Sequence, residues 1–331
     1  KGEDVCFVSL DASAAFDRVW HEGLLFKLRK LGIRGALLEW ITDYLSNRKQ
    51  RVVIDGNHSE WTFIKSGVPQ GSILGPLLFL IYTNDIVTNI ESEILLFADD
   101  TAILEPLSQG NDSIAKVNRD LERLSNWASQ WLVQFNPTKT KYLVFSKKLA
   151  RKGYDPLLLQ NKQLIEVETH KHLGLVLNNT LTWDDHITKL CSEAGKRIST
   201  IKRLPNNITP FTKLHIYKTF IRPVLEYGNV IFDNCTNTLS DDIEASQRQA
   251  AIACTRAYNH TIHTNLLQEC GLQSLQTRRQ MAKTVLLFKI KKGKAPEYLQ
   301  GLLPEEVQDN TDYNLRNSQD IRLPNISKNY F

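Results

Sequence analysis

Two adjacent aspartates, Asp99 and Asp100, interrupt an apolar run between Ile94-Leu95-Leu96-Phe97-Ala98 and Thr101-Ala102-Ile103-Leu104. Carboxylates buried among such residues are costly unless a cation compensates them, so the arrangement asks for metal ions. The same dipeptide recurs at Asp184-Asp185 and Asp241-Asp242, where it follows Trp183 and Ser240 into helix starts. Negative charge in a first helical turn is favourable and structural. The pair at 99 and 100 has no helix to cap. Its flanks read as two strands of a tight hairpin, with the carboxylates at the turn and directed from the sheet edge into a cleft. Asp11 ends another apolar strand, Val5 to Leu10, and taken alone reads more readily as a helix N-cap. If the two strand ends meet, the carboxylates surround two Mg²⁺ ions about 3.5–4 Å apart, the geometry of in-line phosphoryl transfer. An attacking hydroxyl is then activated and the developing charge neutralised.

The elements that must hold these groups follow from periodicity. A helical stretch runs from about His21 to Tyr44, with apolar positions Leu24, Leu28, Leu31, Leu37, Leu38 and Ile41. A hairpin pairs residues 51–54 with 61–64 across Asp55-Gly56-Asn57. The loop Ser66-Gly67-Val68-Pro69-Gln70-Gly71-Ser72 leads into an apolar helix from Leu74 to about Tyr82. Its glycines form no Walker loop, because no Gly-Lys-Ser/Thr follows. Ile114, Val117, Leu121, Leu124, Ala128 and Trp131 keep the spacing of an amphipathic helix, and strands follow near 142–145 and 173–177. From about Thr180 the pattern is helical. Ile187, Leu190, Ala194, Ile198 and Ile201 form one stripe, Thr209-Pro210 caps the next helix, and helices near 240–257 and 275–292 complete the region. Beyond Pro304 the chain reads as a polar, loosely ordered tail.

A chain of 331 residues that is 42% hydrophobic can bury a core spread over two or three subdomains. No run approaches the roughly 20 apolar residues of a membrane-spanning helix, so no membrane partner is expected. Five scattered cysteines suit reduced intracellular thiols. The net charge of +5 is unevenly spread: residues 1–145 hold 15 Lys and Arg against 18 Asp and Glu, and residues 146–331 hold 26 against 18. The acidic part contains the carboxylates; the basic part suits a polyanion or simply a solvated surface. Cys254, His260, His263 and Cys270 invite a zinc reading, but their spacing fits no common zinc pattern. Lys289, Lys291, Lys292 and Lys294 close a helix, where cations complement the dipole.

The ordered set of Asp11 with Phe16, Ser66 to Pro76, and Phe97-Ala98-Asp99-Asp100 resembles the reverse transcriptases of non-LTR (LINE-like, jockey-like) retrotransposons. The likeness continues through Asn136-Pro137-Thr138-Lys139-Thr140-Lys141, His172-Leu173-Gly174 and Ile221 to Gly228. It implies an α+β right-hand polymerase palm, an antiparallel sheet backed by helices, followed by an all-helical thumb. The palm would occupy 1–178 with a partial fingers insertion at about 21–65, and the thumb and C-terminal helices 179–303, before the tail at 304–331. By the same resemblance Asp11, Asp99 and Asp100 would be the catalytic metal ligands, for two Mg²⁺ ions or Mn²⁺. Phe16, Gln70, Gly71 and Lys139 would meet the nucleotide, Phe16 as a gate beneath its sugar. Pro69, Ser72, His172, Leu173 and Gly174 would meet primer or template. The partners implied are an RNA template, a DNA primer or target DNA, and dNTP. The workplace would be the nucleus, with cytoplasmic transit as a ribonucleoprotein.

The chain begins at the first aspartate motif, so the preceding fingers segment of the family is expected to be missing and the segment alone poorly active. The rival reading is a catalytically incompetent or domesticated fragment that binds RNA through its basic half. A maturase or telomerase fits the 67–76 run and thumb pattern less well, and a two-metal nuclease has no reason to carry Phe16 or the Gln70 loop.

Overall fold

The computed structural model describes residues 3–148 and 153–303, so the tail expected at 304–331 lies outside the described residues. The chain divides into two compact units, Lys1–Asp185 and His186–Phe331.

The first unit opens with β1 (Val5–Leu10) and continues through α1 (His21–Lys30) and α2 (Gly35–Leu45). The single helix expected over 21–44 is therefore two. Gly32 and Gly35 take φ of +86° and +59°, a conformation that ends one helix and begins another. Four short strands follow: β2 (Lys49–Gln50), β3 (Val53–Ile54), β4 (Asn57–His58) and β5 (Thr62–Phe63). They form one hairpin whose pairing differs from expectation. Val53 and Ile54 pair with His58 and Asn57, while Lys49 and Gln50 pair with Phe63 and Thr62. Asp55 and Gly56, both at positive φ, make a two-residue turn, which fixes the inner register.

The chain then forms α3 (Leu74–Thr83), β6 (Glu93–Phe97), β7 (Asp100–Pro106), α4 (Asn111–Gln130) and β8 (Lys141–Phe145). The small pair β9 (Leu158–Leu159) and β10 (Lys162–Gln163) precedes β11 (Ile165–Glu166), β12 (Thr169–His172) and β13 (Leu175–Asn178). The main sheet has the order β11-β8-β1-β7-β6, antiparallel except for the parallel β11–β8 edge.

Alternation along β1 separates two faces. Cys6, Val8 and Leu10 point to the face covered by Ile114, Val117, Leu121 and Leu124 of α4, all essentially inaccessible to solvent. Each such leucine contributes about 2–3 kcal/mol of burial. Phe7 points the other way and packs with Ala102, Leu143 and Phe145 against Leu177. A further cluster joins Leu24 and Leu28 of α1, Ile41 of α2, Phe79 and Tyr82 of α3, and Trp131. At its edge the Lys27 ammonium lies 3.7 Å from the Trp131 ring centroid and 2.5 Å from Asp85 Oδ1. Burial lowers the Lys27 pKa, and the Asp85 carboxylate opposes that effect.

The second unit is helical throughout its described residues, built on α5 (Asp184–Lys202), which starts at the end of the first unit. Short α6 (Pro210–Ile216) is capped by the Thr209 hydroxyl, which accepts the Thr212 N–H. A π-helical turn at Tyr217–Ile221 leads into α7 (Arg222–Glu226). It precedes Pro223, whose ring removes an N–H from the helical ladder. Next come α8 (Asn229–Phe232), α9 (Asn237–Thr255), α10 (His263–Glu269) and α11 (Leu275–Lys291). Helix α9 begins a turn before the Asp241-Asp242 pair, because Thr236 accepts the Leu239 N–H and caps it there. The α+β architecture, a largely antiparallel sheet backed by helices and followed by a helical region, is the one expected.

Candidate active site

Asp11 follows the last residue of β1 and is held by its backbone. Its N–H donates to the buried Thr140 hydroxyl at 3.2 Å, and its carbonyl accepts the Asn136 N–H at 2.8 Å. The Asn136 side chain in turn accepts the Thr138 N–H at 3.0 Å, so an Asx turn shapes the 136–140 loop. Leu10 is paired with Thr101, so one step further places Asp11 opposite Asp100 at the end of the β1–β7 ladder. Alternation puts both on the face that carries Phe7, where His172 of β12 packs with its ring centroid 5.1 Å from that of Phe7. Burial pushes His172 below the ordinary imidazole range, and the Asp100 charge pulls it back up.

Asp99 sits in the two-residue turn between β6 and β7, after Ala98 at φ +52°. It lines a narrow crevice with Ala12, Ala15, Phe79, Thr83 and Phe135. The hairpin agrees with the sequence reading, but of the two carboxylates expected to point into one cleft only Asp99 lines this crevice, and the burial does not agree. Asp99 and Asp100 are exposed, as are Leu95, Leu96 and Phe97, because β6 is the edge of the sheet and has a neighbour on one side only. The donors are of the right kind for a hard divalent cation, carboxylate oxygens on adjoining strand ends. Among the described residues, no three His, Cys, Asp or Glu side chains approach closely enough to hold an ion.

Phe16 lies five residues past Asp11 and stacks on Phe79 of α3, ring centroids 4.3 Å apart and planes 19° apart. Phe79 also lines the Asp99 crevice, so the two features are contiguous. The Ser66–Ser72 loop is stitched to the segment after Phe16. Val68 N–H donates to the Phe16 carbonyl at 2.9 Å, Gly67 N–H to Val19 at 2.8 Å and the Ser66 hydroxyl to Asp17 at 3.0 Å. The Gln70 side-chain amide donates to Asp17 Oδ1 at 2.8 Å. A carboxylate only accepts, so this contact turns the Gln70 amide nitrogen toward Asp17. The Ser72 hydroxyl donates to the Pro69 carbonyl at 2.6 Å and accepts the Gly75 N–H at 2.9 Å. Gly71, at φ +80°, is exposed in the turn before α3.

Lys139 is exposed on the loop that holds Asp11. His172 pairs with Leu175 across the two-residue turn Leu173-Gly174, both at positive φ. The expected residues thus fall into three neighbourhoods of the first unit: the strand ends with the 136–140 loop, the Phe16–Gln70 stitch, and the β12–β13 hairpin. Asp17 and Phe79 were not foreseen. Asp17 meets Gln70 across 53 residues of sequence, and Phe79 is one apolar residue within an apolar helix, so neither had a local signal.

In the second unit the four residues of the zinc reading serve separate ends. Cys254 and Cys270 are buried thiols, the first pushed up to about 12 by burial. His263 lies 3.5 Å from Glu244, and His260 stacks on Tyr258.

A largely antiparallel sheet with aspartates at two adjoining strand ends, one on a hairpin turn, is a palm of the nucleotide-polymerase class. Residues 1–177 match the reverse transcriptase (RNA-dependent DNA polymerase) family, and the chain belongs to it. It is 33% identical over 253 residues to the RNA-directed DNA polymerase from mobile element jockey of Drosophila funebris, covering 73% of this chain and 27% of that protein. To the probable RNA-directed DNA polymerase from transposon BS of Drosophila melanogaster it is 27% identical, covering 81% and 31%. The chain therefore spans about a quarter to a third of the length of these curated relatives. Among solved structures it is similar to apo telomerase from Candida tropicalis, at 13% identity over 80% of this chain and 43% of that one, with a TM-score of 0.43.

Proposed function

We infer that this chain carries the nucleotidyl-transfer centre of a non-LTR retrotransposon reverse transcriptase, copying an RNA template onto a DNA primer from dNTP. The observation that carries this reading is the β1–β7 register, which sets Asp11 opposite Asp100 with Asp99 one residue away on the turn. In the reaction the primer 3′-hydroxyl loses its proton and attacks the α-phosphorus of the dNTP; the new P–O bond forms as the bond to pyrophosphate breaks. Bound Mg²⁺ or Mn²⁺, two ions held by Asp11, Asp99 and Asp100, would ease deprotonation of that hydroxyl and neutralise phosphate charge. The Asn136 and Thr140 contacts fix the Asp11 backbone for this task. Phe16, braced by Phe79, stands under the nucleotide sugar and leaves no room for a 2′-hydroxyl. Gln70 and Gly71 face the nascent base pair with Pro69 and Ser72 beside the template, and Lys139 meets the departing pyrophosphate as a charge or proton donor. His172, Leu173 and Gly174 hold the primer end. The palm is residues 1–178, the 179–303 helices form the thumb, and the enzyme works in the nucleus.

The test is dNTP incorporation on a primed RNA with Mg²⁺ or Mn²⁺, using this chain and a longer version that includes the upstream sequence of its relatives' length. Incorporation that Asp99→Asn lowers by a factor of about 10³ or more, with RNA affinity unchanged, is the expected result. A longer version that binds RNA through the basic half yet incorporates nothing sinks the catalytic assignment and leaves the rival reading, RNA binding without synthesis.

A further inference from the structure

Helix α11 is apolar on two sides, and the second unit covers one of them. Leu275, Arg279 and Ile290 are buried and Ala282 and Leu286 partly so, the side that packs on α8 and α9. Met281, Val285 and Phe288 lie on the other side, 53%, 52% and 56% accessible. At 3.6 residues per turn these three share an arc about 60° wide, facing away from Arg279, Leu286 and Ile290. Steps of four, three and four residues carry the row on to Lys292, which is the spacing of a coiled-coil seam. A helix at a protein surface keeps one apolar stripe toward its core, and a second stripe on the opposite side belongs to a helix that is covered there too.

Charge says what kind of partner would cover it. Residues 270–296 contain seven lysines and arginines and no aspartate or glutamate. Three of the cations are used inside the unit: Arg278 pairs with Glu226, and Arg279 and Lys283 pair with Asp233. Lys289, Lys292 and Lys294 are exposed, and among the described residues no carboxylate lies within ion-pair distance of them. Cations at a helix C-terminus complement its dipole, but the dipole gives no reason for Met281, Val285 and Phe288 to stand in water. A second copy of this chain is a poor occupant, because two such helices would meet lysine with lysine or arginine and offer no acid to either. A polyanion could use the lysines and would leave the apolar row idle.

We propose that the outer side of α11 is a docking seam for an acidic amphipathic helix of a partner protein. Its apolar stripe packs along Met281, Val285 and Phe288, and its flanking carboxylates meet Lys289, Lys292 and Lys294. The apolar row supplies affinity by leaving water, and the lysines choose partner and direction. The seam lies wholly within the helical unit, uses no residue of the candidate centre, and is independent of the polymerase reading.

The experiment measures, by fluorescence anisotropy, the affinity of the full chain for a labelled three-heptad peptide with leucine at the seam positions and glutamate on both flanks, whose own charges keep it from pairing with itself. One control peptide carries lysine for each glutamate, and another has the acidic composition with the leucines moved off the period. The acidic amphipathic peptide is expected to bind about tenfold or more tighter than either control, and more weakly as salt rises. Val285→Asp with Phe288→Asp should cost about tenfold or more, while Val285→Leu with Phe288→Leu, which keeps the row apolar, should hold the parent affinity. Lys289→Glu with Lys292→Glu should reverse the preference, so that the lysine peptide becomes the tighter ligand. These side chains are exposed, so the urea midpoint of each variant should match the parent. Equal affinity for all three peptides overturns the proposal, as does acidic-peptide binding that survives Val285→Asp with Phe288→Asp, which marks a plain charge patch. A parent that sediments as a dimer and becomes a monomer with Phe288→Asp also overturns it and makes the seam a self-interface. Loss of RNA or anionic-vesicle binding in the Asp variants, with no preference among the peptides, gives the row to those ligands instead.

Discussion

A side chain at position 67 has nowhere to go. A Cβ on Gly67 would stand 2.8 Å from the Asp17 Cα and carbonyl oxygen and 2.9 Å from its carbonyl carbon, and the residue is at φ +92°. That close approach lets the 66–70 loop hydrogen-bond to Phe16 and Val19 and brings Gln70 to Asp17. Gly67→Ala is therefore expected to destabilise the first unit by about 2–4 kcal/mol, through left-handed strain and a backbone clash that no rotamer relieves. Urea unfolding followed by tryptophan fluorescence measures it, and an unchanged midpoint would contradict the stitch. At this scale the three aspartates were legible because polar residues at the ends of apolar strands break a pattern. Their exposure was not, since an edge strand and a central strand can share one composition. Nor was Lys27: a lone lysine on an amphipathic helix carries no sign that Asp85 and three aromatic rings, Tyr82, Trp127 and Trp131, await it.

Elements with a clear period came through from sequence, and α3, α4 and α5 lie within a few residues of where their apolar stripes place them. Failures came where backbone conformation, not burial, decides: the Gly32–Gly35 break between α1 and α2, and the offset register of the 49–63 hairpin. The β12–β13 hairpin shows the same principle at the candidate site. Its turn has Leu173 at φ +44°, where asparagine or glycine is the favoured residue. A leucine kept in that conformation costs about 1–2 kcal/mol and points to a use for its side chain. Leu173→Asn should therefore hold or raise stability by about 0.5–1 kcal/mol while lowering primer extension. Thermal unfolding and a primer-extension time course, run side by side, separate the two effects. Equal activity of both proteins would return Leu173 to an ordinary turn residue and remove the hairpin's primer role.

Across the whole molecule, the division into a sheet unit and a helical unit was legible because the period becomes helical near residue 180, although the excess of cations begins earlier, at Lys147 inside the sheet unit, while the polar ties inside the helical unit were not legible. Asp233 is one such tie, bonded to Arg279 Nε at 3.1 Å and Lys283 Nζ at 2.7 Å. Burial alone would raise its carboxyl, but the hydrogen bonds and charges of Lys283 and Arg279 outweigh burial and hold it below the usual carboxylate range. The unfolded chain then takes up the proton first as pH falls. This contribution is whole above about pH 4, the ordinary aspartate value, and is lost as pH falls through the lowered folded value. Asp233→Asn should cost the helical unit about 1–3 kcal/mol at pH 7, moderated because Lys283 is half exposed, and should have little effect once the parent carboxyl is itself protonated. All six tryptophans, at 20, 40, 61, 127, 131 and 183, lie in the first unit, so their fluorescence follows that unit while far-ultraviolet circular dichroism also registers the helical one. In urea at pH 7 the substitution is expected to move the circular-dichroism transition to lower denaturant and leave the fluorescence transition in place, the difference from parent closing in acid. Movement of both transitions together would mean that the two units unfold as one cooperative body, and a shift that persists unchanged into strong acid would show that charge on Asp233 is not what holds α8 to α11.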